Sequence, residues 1–299
     1  MLVGLLANLI SKNQWAYLIA PILVLFRSAL NIFYEIHKLC VANEPVLKSL
    51  LERQEWTDTT PYDVWGLWSI NVYPNQRHLM LGVSVLLILV IFFMPYIKEM
   101  FQSLRKKKWK EKIKSFLFSK EAWIEKSEDH RIFLAWCFAF MLPYFHGSAL
   151  IACLLVLCMF AIFSKNRLSY LVFAIIAIIS SVLQTSLFSA GASNVVNFQW
   201  RLGFVVEEVT FPEIMNYCFI ITGIAFILAF LYVLMKWKDR IPVVLLISFL
   251  VPFIFTFLVK ITTEITANHK FIQFSIILMD TLIAGFMADL FVRKESLDV

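Results

Sequence analysis

The sequence predicts an all-α fold, a polytopic bundle of transmembrane helices. Hydrophobic residues make up 60% of the 299 residues and charged residues 16%, whereas about a quarter of a soluble domain is charged. The mean hydropathy is +0.77. Apolar runs of about 20 residues, the length that a helix needs to cross a bilayer, recur along the chain. The chain is therefore predicted to be a multi-pass membrane protein.

We expect about seven to nine membrane helices, including one short hairpin. The predicted spans are residues 15–33, 79–97, 132–145, 149–163, 168–188, 217–235, 241–259 and 271–292. The spans 132–145 and 149–163 are short for a straight crossing, and Pro143 and Gly147 lie at their junction. We interpret this pair as a tight helical hairpin with His146 at its tip. A re-entrant pair is the alternative, and it would also keep His146 against protein or water.

Lys and Arg are distributed unequally between two sets of connecting segments. The first set holds 19 of them, in residues 11–14, 98–131, 164–167, 236–240 and 293–299. The second set holds 7, in residues 37–77, 189–216 and 260–270. Because basic loops tend to stay in the cytoplasm, the first set is predicted to be cytoplasmic and the second extracytoplasmic. The chain is accordingly expected in the cell membrane.

The whole chain, residues 1–299, is predicted to form a single integral membrane domain. Residues 98–131 combine lysines with Trp109 and Trp123, which is typical of a basic amphipathic segment on the cytoplasmic leaflet. Residues 1–10 are apolar but too short for a span, and they resemble the last turns of a helix. We therefore expect the chain to be the C-terminal part of a larger protein. A short segment lying on the membrane surface is the alternative.

Several classes of ligand are not predicted. The net charge of +6 is concentrated beside apolar segments, as in residues 105–110, and without a recognition module it does not indicate nucleic acid. The five cysteines lack metal or redox spacing. The histidines 37, 78, 146 and 269 lie far apart in the sequence, whereas zinc ligands usually include a closely spaced pair. Neither a metal nor a cofactor is predicted.

A polar cluster precedes the second predicted span, on the side expected to face outward. Residues 75–78 read Asn-Gln-Arg-His. Arg77 offers a planar fork of donors suited to phosphate, beside the titratable His78. Free N–H groups at the start of a helix would add to the affinity for an anion. A hydrated anchor at the membrane surface is the alternative interpretation.

Two further clusters contain His146 and the sequence Asn-His-Lys at residues 268–270. A histidine at the tip of an apolar hairpin is costly unless it meets water or a partner. Lys270 can hold phosphate as a compact charge, and His269 can donate to it or relay a proton. An interfacial cap is again the alternative. We predict that the three clusters converge in one substrate-binding site, formed by Arg77, His78, His146, His269 and Lys270.

Two charges fall inside predicted spans, and a carboxylate pair lies in an outer loop. Arg27 and Asp280 are costly in hydrocarbon and should face protein, and pairing with each other is one way to satisfy both. Glu207 and Glu208 follow Arg201 and could position or deprotonate an acceptor hydroxyl. A solvated loop with local ion pairs is the simpler interpretation.

Three motifs together resemble a known family. They are Asn-Gln-Arg-His at residues 75–78, Pro-Tyr-Phe-His-Gly at residues 143–147 and Asn-His-Lys-Phe at residues 268–271. In combination they are similar to the C-terminal half of large bacterial inner-membrane proteins related to the glycosyltransferase C superfamily, over about residues 70–292. The resemblance implies a polyprenyl-phosphate-linked sugar bound at the extracytoplasmic face. Arg77, His78, His269 and Lys270 would hold its phosphate, and His146 would lie over the sugar or phosphate.

The chain departs from that superfamily in one respect. The superfamily's catalytic carboxylate lies in the first outer loop after the first transmembrane helix, and no matching segment occurs here. Asp58 and Asp63 lie in a long outer loop beyond the matching motifs, so no catalytic residue is assigned. The predicted function is a glycosyltransferase-like protein, either an enzyme or only a non-catalytic half. A transporter or flippase of an anionic lipid or solute and a non-catalytic partner subunit are the alternatives.

Overall fold

The structure is a computed structural model, and it describes residues 1–52, 68–74, 77–105, 108–124, 129–188, 196–263 and 265–295. Within these residues the chain is almost entirely helical, as the sequence predicts. The helices are α1 (Leu2–Ser11), α2 (Gln14–Leu25), α3 (Asn31–Val41), α4 (Val46–Glu52), α5 (Trp68–Asn71), α6 (Arg77–Leu104), α7 (Trp109–Phe118), α8 (Lys120–Trp123), α9 (His130–Phe145), α10 (Gly147–Phe163), α11 (Arg167–Phe188), α12 (Phe211–Thr222), α13 (Ala225–Met235), α14 (Arg240–Leu258) and α15 (His269–Glu295). Strands β1 (Val196–Trp200) and β2 (Val259–Thr262) pair antiparallel, and a 3-10 helix (Ile265–Asn268) precedes α15.

Four of the described helices are long and apolar enough to cross a membrane: α6, α11, α14 and α15. A fifth is reached if α12 and α13, bent by 85° at their junction, form one broken span. The expected number, seven to nine, is not confirmed, because α1, α2, α9 and α10 are apolar but short. Helices α9 and α10 have 16 and 17 residues, about 25 Å each. They meet at His146, as the hairpin interpretation predicts.

The prediction that residues 15–33 form one helix is wrong, because residues 26–30 separate α2 from α3. Other segments of the chain provide hydrogen-bond partners for the backbone between α2 and α3. The Trp68 N–H donates to the Arg27 carbonyl (2.9 Å), and the Leu30 N–H donates to the Ile220 carbonyl (2.8 Å). Such partners are needed wherever a helix is broken at membrane depth, since hydrocarbon offers none.

The span predicted at residues 217–235 is also interrupted. Gly223 ends α12 with φ +58 and ψ −133, a positive φ that an L side chain rarely adopts. A Cβ at this position would lie 3.7 Å from Cδ2 of Leu30. The interruptions of the two predicted spans therefore adjoin each other.

Helix α15 lies at the centre of the bundle. Every residue from 271 to 284 is at most 2% exposed, so this helix is covered on all sides. Helices α1, α2, α13 and α14 pack along it, and α6 and α10 also contact it. Two of its buried hydroxyls have carbonyl partners: Ser275 donates to Phe249 of α14, and Thr281 donates to Leu278 in the preceding turn of α15 (2.6 Å).

The directions of the helices place the connecting segments at two opposite ends of the bundle. The histidine end, defined by His78, His146 and Lys270, contains the starts of α6, α10 and α15. The basic end, defined by Lys98 and Arg240, contains the ends of α1 and α6 and the start of α14. The described parts of the basic segments thus gather at one end, and His78, His146 and Lys270 lie at the other.

Arg27 and Asp280 form a two-pronged ion pair inside the bundle. The guanidinium donates through Nε to Oδ2 of Asp280 (3.3 Å) and through Nη2 to Oδ1. The Asp280 side chain is fully buried and that of Arg27 is 13% exposed. Nearby, the Tyr73 hydroxyl donates to the Val24 carbonyl (3.4 Å), and its ring packs edge-on against Trp68. The two charges that the sequence placed inside spans therefore satisfy each other.

We predict that Asp280→Leu lowers the free energy of unfolding by about 3–5 kcal/mol, because it leaves the Arg27 guanidinium buried without a counter-charge. The double variant Arg27→Met with Asp280→Leu should recover most of this loss, since no buried charge remains. Unfolding of purified protein in mixed micelles, followed by circular dichroism, measures both values. A double variant no more stable than Asp280→Leu would contradict the assignment.

Candidate functional site

Three helix N-termini meet at the histidine end. The closest approach is at Gly82, one turn into α6, where a Cβ would lie 2.5 Å from the Cβ of Ala149 in α10. The same Cβ would lie 3.7 Å from the Phe274 ring of α15 and 3.8 Å from the Cβ of His146. Only glycine allows α6 and α10 to approach this closely. Gly82 was not among the residues predicted from the sequence, although a lone glycine in an apolar helix is a recognised sign of close packing.

His146 caps helix α10 with its ring. The Ala149 N–H donates to Nδ1 of His146 (3.1 Å), so the neutral ring carries its proton on Nε2. The ring also packs edge-on against Phe274, with ring centroids 6.1 Å apart. His146 is therefore fixed by two neighbouring helices, and Nε2–H is left as its donor.

Positive charge surrounds His146. The pKa of His146 is lowered from 6.5 to about 4, mainly by burial and in smaller part by the nearby charges of Lys270 and His78. Lys270 is half-buried one turn before Phe274 on α15, and His78 is exposed one turn before Gly82 on α6. At neutral pH the imidazole is uncharged, and it donates a hydrogen bond without adding to the positive charge of the site.

Two buried amide side chains lie close to Lys270 in the sequence. Asn268 is fully buried and donates through Nδ2 to the Val259 carbonyl, while its Oδ1 has no hydrogen-bond partner among the described residues. Gln273 is 1% exposed, and its Oε1 likewise has no partner in the described part of the chain. Gln273 follows Lys270 by one turn, so the two share a face of α15. The sequence analysis did not select Gln273, although a glutamine inside an apolar span is unusual.

The predicted site residues are only partly described. His78, His146 and Lys270 come together, and His269 is the half-buried first residue of α15. Arg77 begins α6, but its side chain lies outside the described part of the structure. The structure therefore brings three helices of the predicted site together and leaves the position of the Arg77 guanidinium open.

Of the outer-loop carboxylates considered in the sequence, the structure describes Glu207 and Glu208. Glu207 and Glu208 are exposed on the segment that follows β1, and Arg201 beside them is exposed as well. Asp58 and Asp63 lie outside the described residues. In the described ranges, no three His, Cys, Asp or Glu side chains are arranged to hold a metal ion.

Comparisons with protein-family models, with curated proteins and with solved structures gave no match to this chain. The geometry of the histidine end is therefore the basis on which its function is argued.

The lowered pKa of His146 predicts a pH-dependent stability. The unfolded chain binds a proton near pH 6.5, whereas the folded protein resists it down to about pH 4. Stability should therefore be complete above pH 6.5 and decrease as the pH falls towards 4. We expect His146→Asn, which keeps a side-chain cap for α10 but cannot titrate, to lose less stability over this range.

Thermal unfolding of both proteins in the same detergent, between about pH 7.5 and 4.5, measures this difference. All other titrating groups are common to the two proteins and cancel. A difference in melting temperature that stays constant across the range would show that His146 does not titrate below its usual pKa.

Proposed function

We propose that this chain is a multi-pass membrane protein, similar to lipid-linked-sugar glycosyltransferases, and that its histidine end binds the phosphate of a polyprenyl-phosphate-linked sugar. The observation that carries the proposal is the meeting of three helix N-termini with Lys270 and two histidines. These groups come from parts of the chain far apart in sequence. Each of them favours an anion.

The electrostatics suit a phosphate group. A helix N-terminus carries about half a positive charge and free N–H donors, so three of them converging favour a negative ligand. Lys270 adds a full charge, and no ion pair of Lys270 occurs within the described residues. His146 adds a neutral Nε2–H donor. Together these groups offer charge and hydrogen bonds to one anionic head group.

The buried amides suit the sugar part of the same ligand. The oxygens of Asn268 and Gln273 are buried acceptors, so once ligand entry separated the neighbouring helices they would receive hydrogen bonds from sugar hydroxyls and not from phosphate oxygens. A buried acceptor without a partner costs about 1–3 kcal/mol, which a hydroxyl-bearing ligand would recover. The site then combines donors for the phosphate with acceptors for the sugar.

Sugar transfer would need a carboxylate that deprotonates the acceptor hydroxyl, together with cations that stabilise the leaving phosphate. Lys270 and Arg77 are suited to the second role. The carboxylate is unassigned, and a non-catalytic partner subunit that only holds the lipid is the alternative. A transporter receives less support, because Arg27 and Asp280 neutralise each other and need no ligand.

In this proposal the basic end faces the cytoplasm and the histidine end the opposite side. We predict that an impermeant thiol reagent labels Arg201→Cys in intact cells, and Lys110→Cys only after permeabilisation. Both positions are exposed, and the variants are made in a background without the five native cysteines. Labelling of Lys110→Cys alone in intact cells would reverse the orientation.

We predict that Lys270→Gln weakens binding of a polyprenyl phosphate by about 1.5–3 kcal/mol, the range for hydrogen bonds to charged groups. Arg77→Gln should have an effect of similar size. Arg77→Lys should restore only part of it, because an ammonium keeps the charge but loses the planar fork. Native mass spectrometry of the purified protein with added polyprenyl phosphate measures each affinity.

Lys48→Gln is the control for a general loss of positive charge. Its side chain is 70% exposed and pairs only loosely with Glu52 (3.9 Å). It should leave the binding of polyprenyl phosphate unchanged. Equal effects of Lys48→Gln and Lys270→Gln would refute a specific phosphate site and leave the polar clusters as anchors at the membrane surface.

A further inference from the structure

The basic end of the bundle contains a cavity of about 900 Å³. It lies between the end of α1, the last turns of α6, helix α7 and the turn from α13 into α14. Its volume is that of a site for a small organic ligand, about 300–1,000 Å³. None of the residues proposed to bind the polyprenyl phosphate lines it.

Positive charge dominates the lining of the cavity. Its basic side chains are Lys12, Lys98, Arg105, Lys112, Lys238 and Arg240. Asp239 is the one acidic residue among the described lining residues. Its carboxylate accepts the Ile241 N–H (3.0 Å) and caps α14, so part of its capacity to bind cations is already used.

The basic side chains are crowded without being neutralised. Lys98 is repelled by Lys12 and attracted by Asp239, and its ammonium donates to the Leu9 carbonyl near the end of α1 (3.4 Å). Within the described ranges, none of the six basic residues forms an ion pair. An anion in the cavity would relieve their mutual repulsion.

Apart from Gln102, the remaining wall of the cavity is apolar. Phe101 and Leu104 of α6 and Ile113 of α7 contribute to it. Helix α7 is held in place by Arg167, whose guanidinium stacks on Phe116 (4.9 Å) and on Trp123 (5.7 Å). The guanidinium also donates to the last carbonyls of α10. The cavity therefore presents a cationic surface beside a fixed apolar one.

We propose that this cavity binds an anionic phospholipid, with the phosphate among the lysines and arginines and an acyl chain along the apolar wall. A basic pocket between helices at the cytoplasmic surface is suited to such a head group. A soluble phosphate compound would leave the apolar wall unused. The inference shares with the proposed function only the membrane setting, and the two sites lie at opposite ends of α15.

Two lysines on α7 provide a matched test. Lys112 lines the cavity, whereas Lys114 is exposed and is not part of the described lining. Two positions correspond to about 200° around a helix, so the two side chains point in nearly opposite directions. Lys112→Gln and Lys114→Gln therefore remove the same charge from the same helix, on different faces.

The experiment is a titration of the purified full chain with phosphatidylglycerol, followed by native mass spectrometry. We expect Lys112→Gln to weaken binding roughly tenfold or more, and Lys114→Gln to leave it within about twofold of the parent. Phosphatidylcholine, whose head group has no net charge, should bind much more weakly. Glycerophosphoglycerol, the same head group without acyl chains, should also bind weakly.

Three results would overturn the proposal. Equal effects of Lys112→Gln and Lys114→Gln would indicate only a basic surface. Equal binding of phosphatidylcholine would show that the cations do not recognise the charge of the lipid. Glycerophosphoglycerol binding as tightly as phosphatidylglycerol would assign the cavity to a soluble phosphate compound.

The two ends of the bundle can be tested separately. Lys270→Gln should leave phosphatidylglycerol binding unchanged, and Lys112→Gln should leave polyprenyl phosphate binding unchanged. Loss of one binding activity without the other then shows which site is affected. An effect of Lys112→Gln on both lipids would mean that polyprenyl phosphate also occupies the cavity, and the cavity would not be selective for phospholipid.

Discussion

The fold depends on one constraint, that the buried carboxylate of Asp280 must be neutralised at the centre of α15. This helix is covered on every side over residues 271–284, so no solvent reaches Asp280. The counter-charge comes from Arg27, which lies just beyond the last turn of α2. Because α2 ends at Leu25, Arg27 lies in the irregular segment between α2 and α3 and reaches Asp280 from there. The ion pair and the helix break are thus parts of one arrangement.

That break is tolerated because a second one lies beside it. Leu30, after the end of α2, donates to the Ile220 carbonyl near the end of α12, and Gly223 follows at the turn into α13. Irregular backbone at membrane depth persists only where protein supplies its hydrogen bonds. The Ile220 carbonyl of α12 supplies one such partner, to Leu30, and the Trp68 N–H supplies another, to the Arg27 carbonyl.

The same central helix separates two groups of cations. The 21 residues from His269 to Asp289 cover about 30 Å, close to the thickness of the hydrocarbon core. At one end of this stretch, Lys270 lies near His146 and three helix N-termini. At the other end, Asp289 pairs with Lys236 (2.7 Å) beside the basic cavity residues of the α13–α14 turn. Anionic groups would be favoured at both surfaces. The Arg27–Asp280 ion pair lies between these surfaces.

The sequence by itself determined the helical class, most helix positions and the grouping of the basic segments, because apolar length and Lys and Arg distribution are local properties. It also singled out His78, His146 and Lys270 as candidate site residues, since polar residues beside apolar runs stand out, and their binding of a ligand stays a prediction. It could not give the breaks after Leu25 and at Gly223, where distant partners replace the lost hydrogen bonds. The approach of α6 to α10 at Gly82, the buried acceptor of Gln273 and the basic cavity were decided by tertiary structure alone. Each of them arises from residues far apart in the chain that become neighbours only when the helices pack around α15.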